Sequence, residues 1–221
     1  MKMQFLNRVE AGRLLARRLS QYANRAGVLV LALPRGGVPV GYEVAQALHA
    51  PLDVFMVRKL GVPGREELAL GAIANGGIRV LNGEVVEGLQ IPDEVIQAVA
   101  ARELCELERR EQAYRGDRPT PDVQGRTVIL VDDGIATGST MRAAVAALRQ
   151  LEAGRIVVAT PTAALSTMRE MHADVDEFVA VMTPADFTAV GQWYQDFGQT
   201  TDAEVRELLE RASEFPSPAA S

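Results

Sequence analysis

The 221-residue chain has a single cysteine, Cys105, so no internal disulfide can form. Set among Glu and Leu on a helical pattern, Cys105 reads as a buried or half-buried apolar residue rather than a nucleophile. Histidine is nearly as scarce: His49 and His172 stand far apart with no Cys/His cluster, which argues against a structural zinc site. Long apolar runs are missing too. The longest, Val28 to Leu33, is far too short to span a bilayer, and the opening MKMQFLNRVEAG carries no apolar signal region. A cytoplasmic protein without membrane attachment is expected. No run of Lys or Arg exceeds two residues and the formal charge is −6, so a nucleic-acid partner is not expected. Any anionic ligand must be held by local positive groups.

What is present is an ordinary globular composition, 48% apolar and 24% charged, with no internal repeat or low-complexity block. The length suits one domain over residues 1–212, and the tail 213–221, with its two prolines, is expected to be disordered. Val9, Leu14, Leu15, Leu19 and Tyr22 at helical spacing predict an amphipathic helix over 8–25. Val28 to Leu33 reads as a strand buried on both faces, followed by the turn Pro34-Arg35-Gly36-Gly37, a helix over 38–50 and a second strand over 52–57. The glycine-rich stretch beyond Arg58 predicts a mobile loop, Leu60 to Glu67, leading to a hairpin of Leu70 to Ala74 with Ile78 to Leu81.

Pro92 suits the first turn of a helix that Val95, Val99, Leu104 and Leu107 continue to about Tyr114. Then come a buried strand (127–131), a helix (139–153), a strand (155–160), a helix (162–172) and a strand (175–181). Thr201 and Glu204 match a capping box for a last helix. The alternation predicts an α/β fold: a central, mostly parallel sheet with helices on both faces.

The chemistry is concentrated in one segment, Val128 to Thr140 (VILVDDGIATGST). A buried strand turns through small residues into a helix, which puts Asp132 and Asp133 at the carboxyl edge of the sheet, where ligands of open α/β sheets bind. Backbone N–H groups from Ala136 to Thr140, the helix N-terminus and the hydroxyls of Thr137, Ser139 and Thr140 can surround a phosphate without a lysine, and Gly138 lets the backbone approach. Two adjacent carboxylates accept hydrogen bonds from vicinal hydroxyls. Diol then phosphate is the order that a ribose 5-phosphate presents.

This segment resembles the 5-phosphoribosyl 1-pyrophosphate (PRPP) motif of type I phosphoribosyltransferases, and VDDGIATGSTM is especially similar to the adenine-phosphoribosyltransferase version. The resemblance implies PRPP binding by Asp132, Asp133, Gly134, Ile135, Ala136, Thr137, Gly138, Ser139 and Thr140. Two further stretches fit the family in the same chain order. Arg35-Gly36-Gly37 resembles a pyrophosphate loop, whose glycines expose amides and whose arginine offers a forked donor. Arg58-Lys59 resembles the pair opening the family's flexible catalytic loop, placed here at about 58–77. Lys59 is one of only two lysines, with Lys2, among 23 basic residues.

The resemblance implies the type I fold with a small irregular hood at about 183–200 and a Mg²⁺-dependent transfer of the phosphoribosyl group to a nitrogenous small-molecule acceptor, with release of pyrophosphate. Its catalytic candidates are Lys59, Arg35, Asp132 and Asp133. The metal comes mainly with PRPP, with Asp132 and Asp133 as the protein's candidates to touch it. A homodimer is the assembly implied. Hood aromatics Phe187, Trp193 and Tyr194 are candidates to stack an acceptor base, against a plainer reading as an apolar cluster fastening the hood. Ala136 and Ser139 depart from the 6-oxopurine pattern, which carries an acid before T-G and often a lysine after it. The competing reading is a PRPP-binding regulatory protein without transferase activity.

Overall fold

The computed structural model describes residues 4–116 and 118–215. Along the chain run α1 (Arg8–Arg18), β1 (Val28–Ala32), α2 (Gly37–Leu48), β2 (Leu52–Val54), β3 (Val57–Val62), β4 (Arg65–Ala74), β5 (Ile78–Leu81), α3 (Gly83–Gly88), α4 (Asp93–Arg115), β6 (Thr127–Val131), α5 (Ser139–Gln150), β7 (Arg155–Thr162), α6 (Leu165–Met171), β8 (Glu177–Met182) and α7 (Asp202–Ala212). Five strands form a parallel sheet in the order β2-β1-β6-β7-β8, and β3-β4-β5 form a smaller antiparallel sheet.

Both faces of the parallel sheet are covered, and the alternation of side chains along each strand divides the core accordingly. Val28, Val30, Ala32, Ile129 and Val131 lie in one cluster with residues of α1, α2, α4 and α7. Leu29, Leu31, Val128 and Leu130 lie in the other, with Met141, Val145 and Leu148 of α5 and Met171 of α6. Every residue of β1 is buried, and truncating one of its leucines to alanine would cost about 2–5 kcal/mol. Thr201 caps α7 by accepting a hydrogen bond from the Glu204 amide. Among the described residues no helix is long and apolar enough to cross a membrane.

The α/β architecture and the parallel sheet are as expected; several local readings are corrected. The stretch Leu60 to Glu67 is not a loop. β3 and β4 pair through it as a hairpin turning at Pro63-Gly64, and the inner side of this sheet, Leu60, Val62, Leu70 and Ile73, packs into the same cluster as Ile96, Val99 and Leu107 of α4. The strand expected over 52–57 divides in two, because β2 ends at Val54 and Val57 starts β3 in the other sheet. The first helix stops at Arg18, seven residues short of the expectation, and a single 3₁₀ turn, Ser20–Tyr22, follows. The short helix α3 was not expected.

Cys105 is exposed, not buried. The buried line of α4 runs through Ile96, Val99, Ala100 and Leu107, and at 100° per residue Cys105 falls on the opposite side. Of the expected disordered tail, residues 216–221 lie outside the described residues.

Candidate active site

β6 delivers Asp132 and Asp133 to the carboxyl edge of the parallel sheet, and the turn after them enters α5 at Ser139. Neighbouring elements pin this turn. The Ile135 amide donates to the Thr162 carbonyl at 2.9 Å and the Ala164 amide returns a bond to the Ile135 carbonyl at 2.9 Å. The Thr167 hydroxyl donates to the Ala136 carbonyl at 2.5 Å, and Arg142 donates to the Thr137 carbonyl at 2.7 Å. Gly138 has φ +72°, and an added Cβ would press on Thr167 and Met171, so glycine is required here for both conformation and space. At the start of α5 the first-turn amides have no intrahelical carbonyl, the usual condition of a helix N-terminus. Together with Asp132, Gly134 and Val190, the turn from Ile135 to Met141 lines a cavity of about 150 Å³, several times the ~30 Å³ share of one water.

The two acids are held differently. Asp133 is buried, and its Oδ2 accepts a 2.8 Å hydrogen bond from Nε of Arg8, in α1. Its carbonyl accepts from the Tyr194 hydroxyl at 2.5 Å. Asp132 lines the cavity, and its Oδ1 accepts from the Asp133 amide at 2.8 Å. Burial, and next the Asp133 charge, push the Asp132 carboxyl well above the ordinary carboxylate range. Asp133 is raised by burial and partly pulled back by the Arg8 guanidinium.

The Pro34-Arg35-Gly36-Gly37 turn lies directly against these acids, with its Pro34–Arg35 peptide cis. An added Cβ at Gly36 would overlap the Asp133 carboxylate, and one at Gly37 would meet the Val131 carbonyl at 2.8 Å and Asp132 Cα at 3.0 Å. The glycines thus have a steric reason independent of any ligand. Arg35 reaches toward α7 instead, with Nη1 3.7 Å from Asp202 Oδ1. Asp202 also accepts a 2.6 Å hydrogen bond from Tyr114, whose hydroxyl is pushed up to about 12 by burial and by that carboxylate.

Arg58 and Lys59 do not act as a pair. Successive residues of a strand point to opposite faces. Arg58 turns to α4, where Nη2 lies 2.7 Å from Glu103 Oε2. Lys59 turns the other way, half exposed and 3.8 Å from Glu67, into a larger cavity of about 750 Å³ between the β3-β4-β5 sheet and the flank of α5. Only Ser139 and Thr140 of the loop border that cavity, whose remaining lining mixes apolar side chains with Arg142, Arg149 and Asp174. The loop cavity, though smaller, is the one that Asp132 lines.

The hood aromatics are fastened inward. Trp193 and Tyr194 are each only 4% exposed and cluster with Phe5 and Ala11; Phe187 packs on the Trp193 ring, while Phe5 and Phe197 flank Tyr194. Trp193 and Tyr194 therefore have no open ring face for a base. The apolar cluster is the arrangement observed. Residues that sequence reasoning missed are Arg8, Phe5, Tyr114 and Asp202. Phe5 exchanges backbone hydrogen bonds with Trp193 and Gln195, so the N-terminal segment is part of the hood. No local pattern marks such pairings across more than 180 residues. No three His, Cys, Asp or Glu side chains converge among the described residues.

Against known proteins, the model of the phosphoribosyl transferase domain matches residues 4–186, a span that holds both acids, the glycine turn and Lys59. Rv0571c, a candidate phosphoribosyl transferase of Mycobacterium tuberculosis (strain H37Rv), is 48% identical over 208 residues, covering 94% of this chain and 47% of its own length. The bifunctional protein PyrR of Caldicellulosiruptor saccharolyticus is 30% identical over 93 residues, 40% of this chain and 51% of that protein. The chain spans about half the length of the curated relatives it matches. The crystal structure of TT1426 from Thermus thermophilus superposes with a TM-score of 0.83 at 42% identity, covering 95% of this chain and 99% of that one.

Proposed function

Because the chain belongs to the phosphoribosyl transferase domain family, we propose that it is a Mg²⁺-dependent enzyme that moves the 5-phosphoribosyl group of PRPP to a nitrogenous small molecule and releases pyrophosphate. The observation that carries this reading is the continuity of the loop cavity: a carboxyl at one end, and hydroxyls and helix-terminal amides at the other, on a single strand-turn-helix. The 5-phosphate sits among the Thr137, Ser139 and Thr140 hydroxyls and the α5 N-terminus, and the ribose hydroxyls lie at the end of the loop where the acid pair stands. The pyrophosphate then extends toward Arg35, Gly36 and Gly37, and Lys59 supplies a compact positive charge as the leaving group departs.

In the reaction the anomeric C–O bond to pyrophosphate breaks, a C–N bond to the acceptor forms, and the acceptor nitrogen releases a proton. The protein's contribution is positioning, charge neutralisation and exclusion of water from a cationic centre. Two carboxyls, one of them engaged by Arg8, suit an ion carried in by PRPP oxygens rather than one held by the protein alone. When bound, Mg²⁺ would neutralise the pyrophosphate. This work belongs to nucleotide metabolism in the cytoplasm, on a homodimer whose subunits each carry one such loop.

Following pyrophosphate release from PRPP and Mg²⁺ across a panel of bases tests the proposal. Release with one base supports it. Tight PRPP binding without release from any acceptor would instead describe a PRPP-sensing regulator.

A further inference from the structure

We infer that Arg8 is a positioning residue of the proposed PRPP site: it fixes Asp133 as a charge-balanced strut and leaves Asp132 as the carboxyl that meets the ribose hydroxyls. This rests on the functional reading above and divides the work of its two acids.

Three observations carry it. First, the Asp133 carboxylate is enclosed. Arg8 Nε lies 2.8 Å from its Oδ2 with both side chains 13% exposed, and Gly36 is packed so closely that one more carbon there would overlap the same oxygen. Second, Arg8 is itself held in place. Nη1 donates to the Gly198 carbonyl at 2.6 Å, and the Phe197 ring lies 4.0 Å from Cζ, so the guanidinium is clamped between hood and loop. A ribose hydroxyl seeking Asp133 Oδ2 would have to displace a charge-assisted hydrogen bond in a largely dry setting. Third, only one acid reaches the cavity. Asp132 lines it together with the turn; Asp133 does not.

The sequence places the two acids side by side as equals; the fold makes them unequal. β6 runs straight into both, but alternation along the extended chain sends one carboxyl toward the ligand and the other toward α1 and the hood. Arg8 also links three segments distant in sequence, because its contacts are with Asp133, Phe197 and Gly198. Its loss should loosen the carboxyl end of the loop without touching the phosphate end.

The test is PRPP affinity by titration calorimetry with Mg²⁺, with melting temperature in parallel, on wild type, Asp132→Asn, Asp133→Asn, Arg8→Gln, Arg8→Lys and the Arg8→Gln/Asp133→Asn double variant. Asp132→Asn should weaken PRPP by roughly fiftyfold, the scale of a lost hydrogen bond to a charged group, without lowering the melting temperature. Asp133→Asn and Arg8→Gln should each weaken PRPP by about five- to tenfold and lower the melting temperature, and the double variant should be no worse than the poorer single one. Arg8→Lys should recover part of the affinity, since it keeps the charge and loses the fork.

Equal losses for Asp132→Asn and Asp133→Asn at unchanged melting temperature, or additive losses in the Arg8/Asp133 double variant, would overturn the inference while the functional reading stands. Lowered melting temperatures with wild-type PRPP affinity for the Arg8 variants would reduce Arg8 to a structural tie and overturn it as well. A wild-type protein silent toward PRPP would overturn both.

Discussion

The strand-turn-helix carrying Asp132 to Thr140 and the β3-β4 hairpin carrying Lys59 both border the cavity on the flank of α5, yet they are held on opposite terms. In the first, the carbonyls of Ile135 and Ala136 accept hydrogen bonds from Ala164 and Thr167, that of Thr137 accepts one from Arg142 of α5 itself, and Gly138 is wedged against Thr167 and Met171. In the second, one face is packed as far as Val62, beside the turn, and the β4 arm beyond it is open. Leu60 and Leu70 are buried, whereas Arg65, Glu66, Glu67 and Leu68 are exposed, and the Lys59–Glu67 ion pair at 3.8 Å is of the kind worth little in water. The contrast teaches a division of labour. On the proposed reading, a ground-state ligand is held by the more tightly tied part, and charge that develops later is met by the more exposed one.

The largest effect should come from the rigid region. Asp132→Ala with Asp133→Ala removes both carboxyls, and PRPP affinity should fall by about a few hundredfold, the lost ligand hydrogen bond of Asp132 combined with the lost strut of Asp133, as read by calorimetry. If the double variant binds PRPP normally, the rigid region is not the ligand-holding one and the comparison collapses.

Next comes the hairpin. Lys59→Ala should lower turnover by roughly a hundredfold, about 3 kcal/mol, while weakening PRPP binding less, and the melting temperature should barely move. Lys59→Arg should restore PRPP affinity and only part of the rate, because a broad fork replaces a compact donor. Wild-type turnover in Lys59→Ala would make Lys59 plain solvated surface.

Arg58 sharpens the same contrast one residue away. Its partners are Glu103 and Glu106 of α4, so Arg58→Ala should cost about 1 kcal/mol of stability, measured by chemical denaturation, with turnover changed less than about threefold. A turnover loss matching that of Lys59→Ala would show that the hairpin re-registers during the reaction and turns both side chains to the site.

The subtlest prediction concerns pH. In the ligand-free protein the folded-state pKa of Asp132 is raised above its unfolded value, so the folded state binds the proton more tightly. Stability from this group is fully present below the ordinary carboxylate pKa and is lost as pH rises through the folded value. Asp132→Asn should therefore melt higher than wild type at neutral pH, and the gap should close as pH falls toward about 4. A gap that widened on acidification would mean that Asp132 is held as a carboxylate.

These two regions also mark how far the sequence can be read. The loop was legible because everything that defines it is local: a short all-apolar strand, two acids, small turn residues and a helix start within thirteen positions. The hairpin was not. Gly61, Pro63, Gly64 and the exposed Arg65 to Leu68 look like a loop at short range, and only the pairing of β3 with β4, with Leu60, Val62 and Leu70 packed in the cluster shared with α4, makes strands of them. The hood aromatics were legible as a group, but their direction depends on Phe5 from the opposite end of the chain. Arg8 lay beyond reach altogether, since its role exists only once α1 is folded against a residue 125 positions away.

The most direct test of the central claim is titration of PRPP with Mg²⁺ into the wild-type protein, followed by melting at saturation. The account predicts saturable binding at one site per chain, with stabilisation of ~2.7 kcal/mol at a hundredfold excess over the dissociation constant, and abolition of both by the double aspartate variant. Absence of heat and of any melting shift at millimolar PRPP would contradict it.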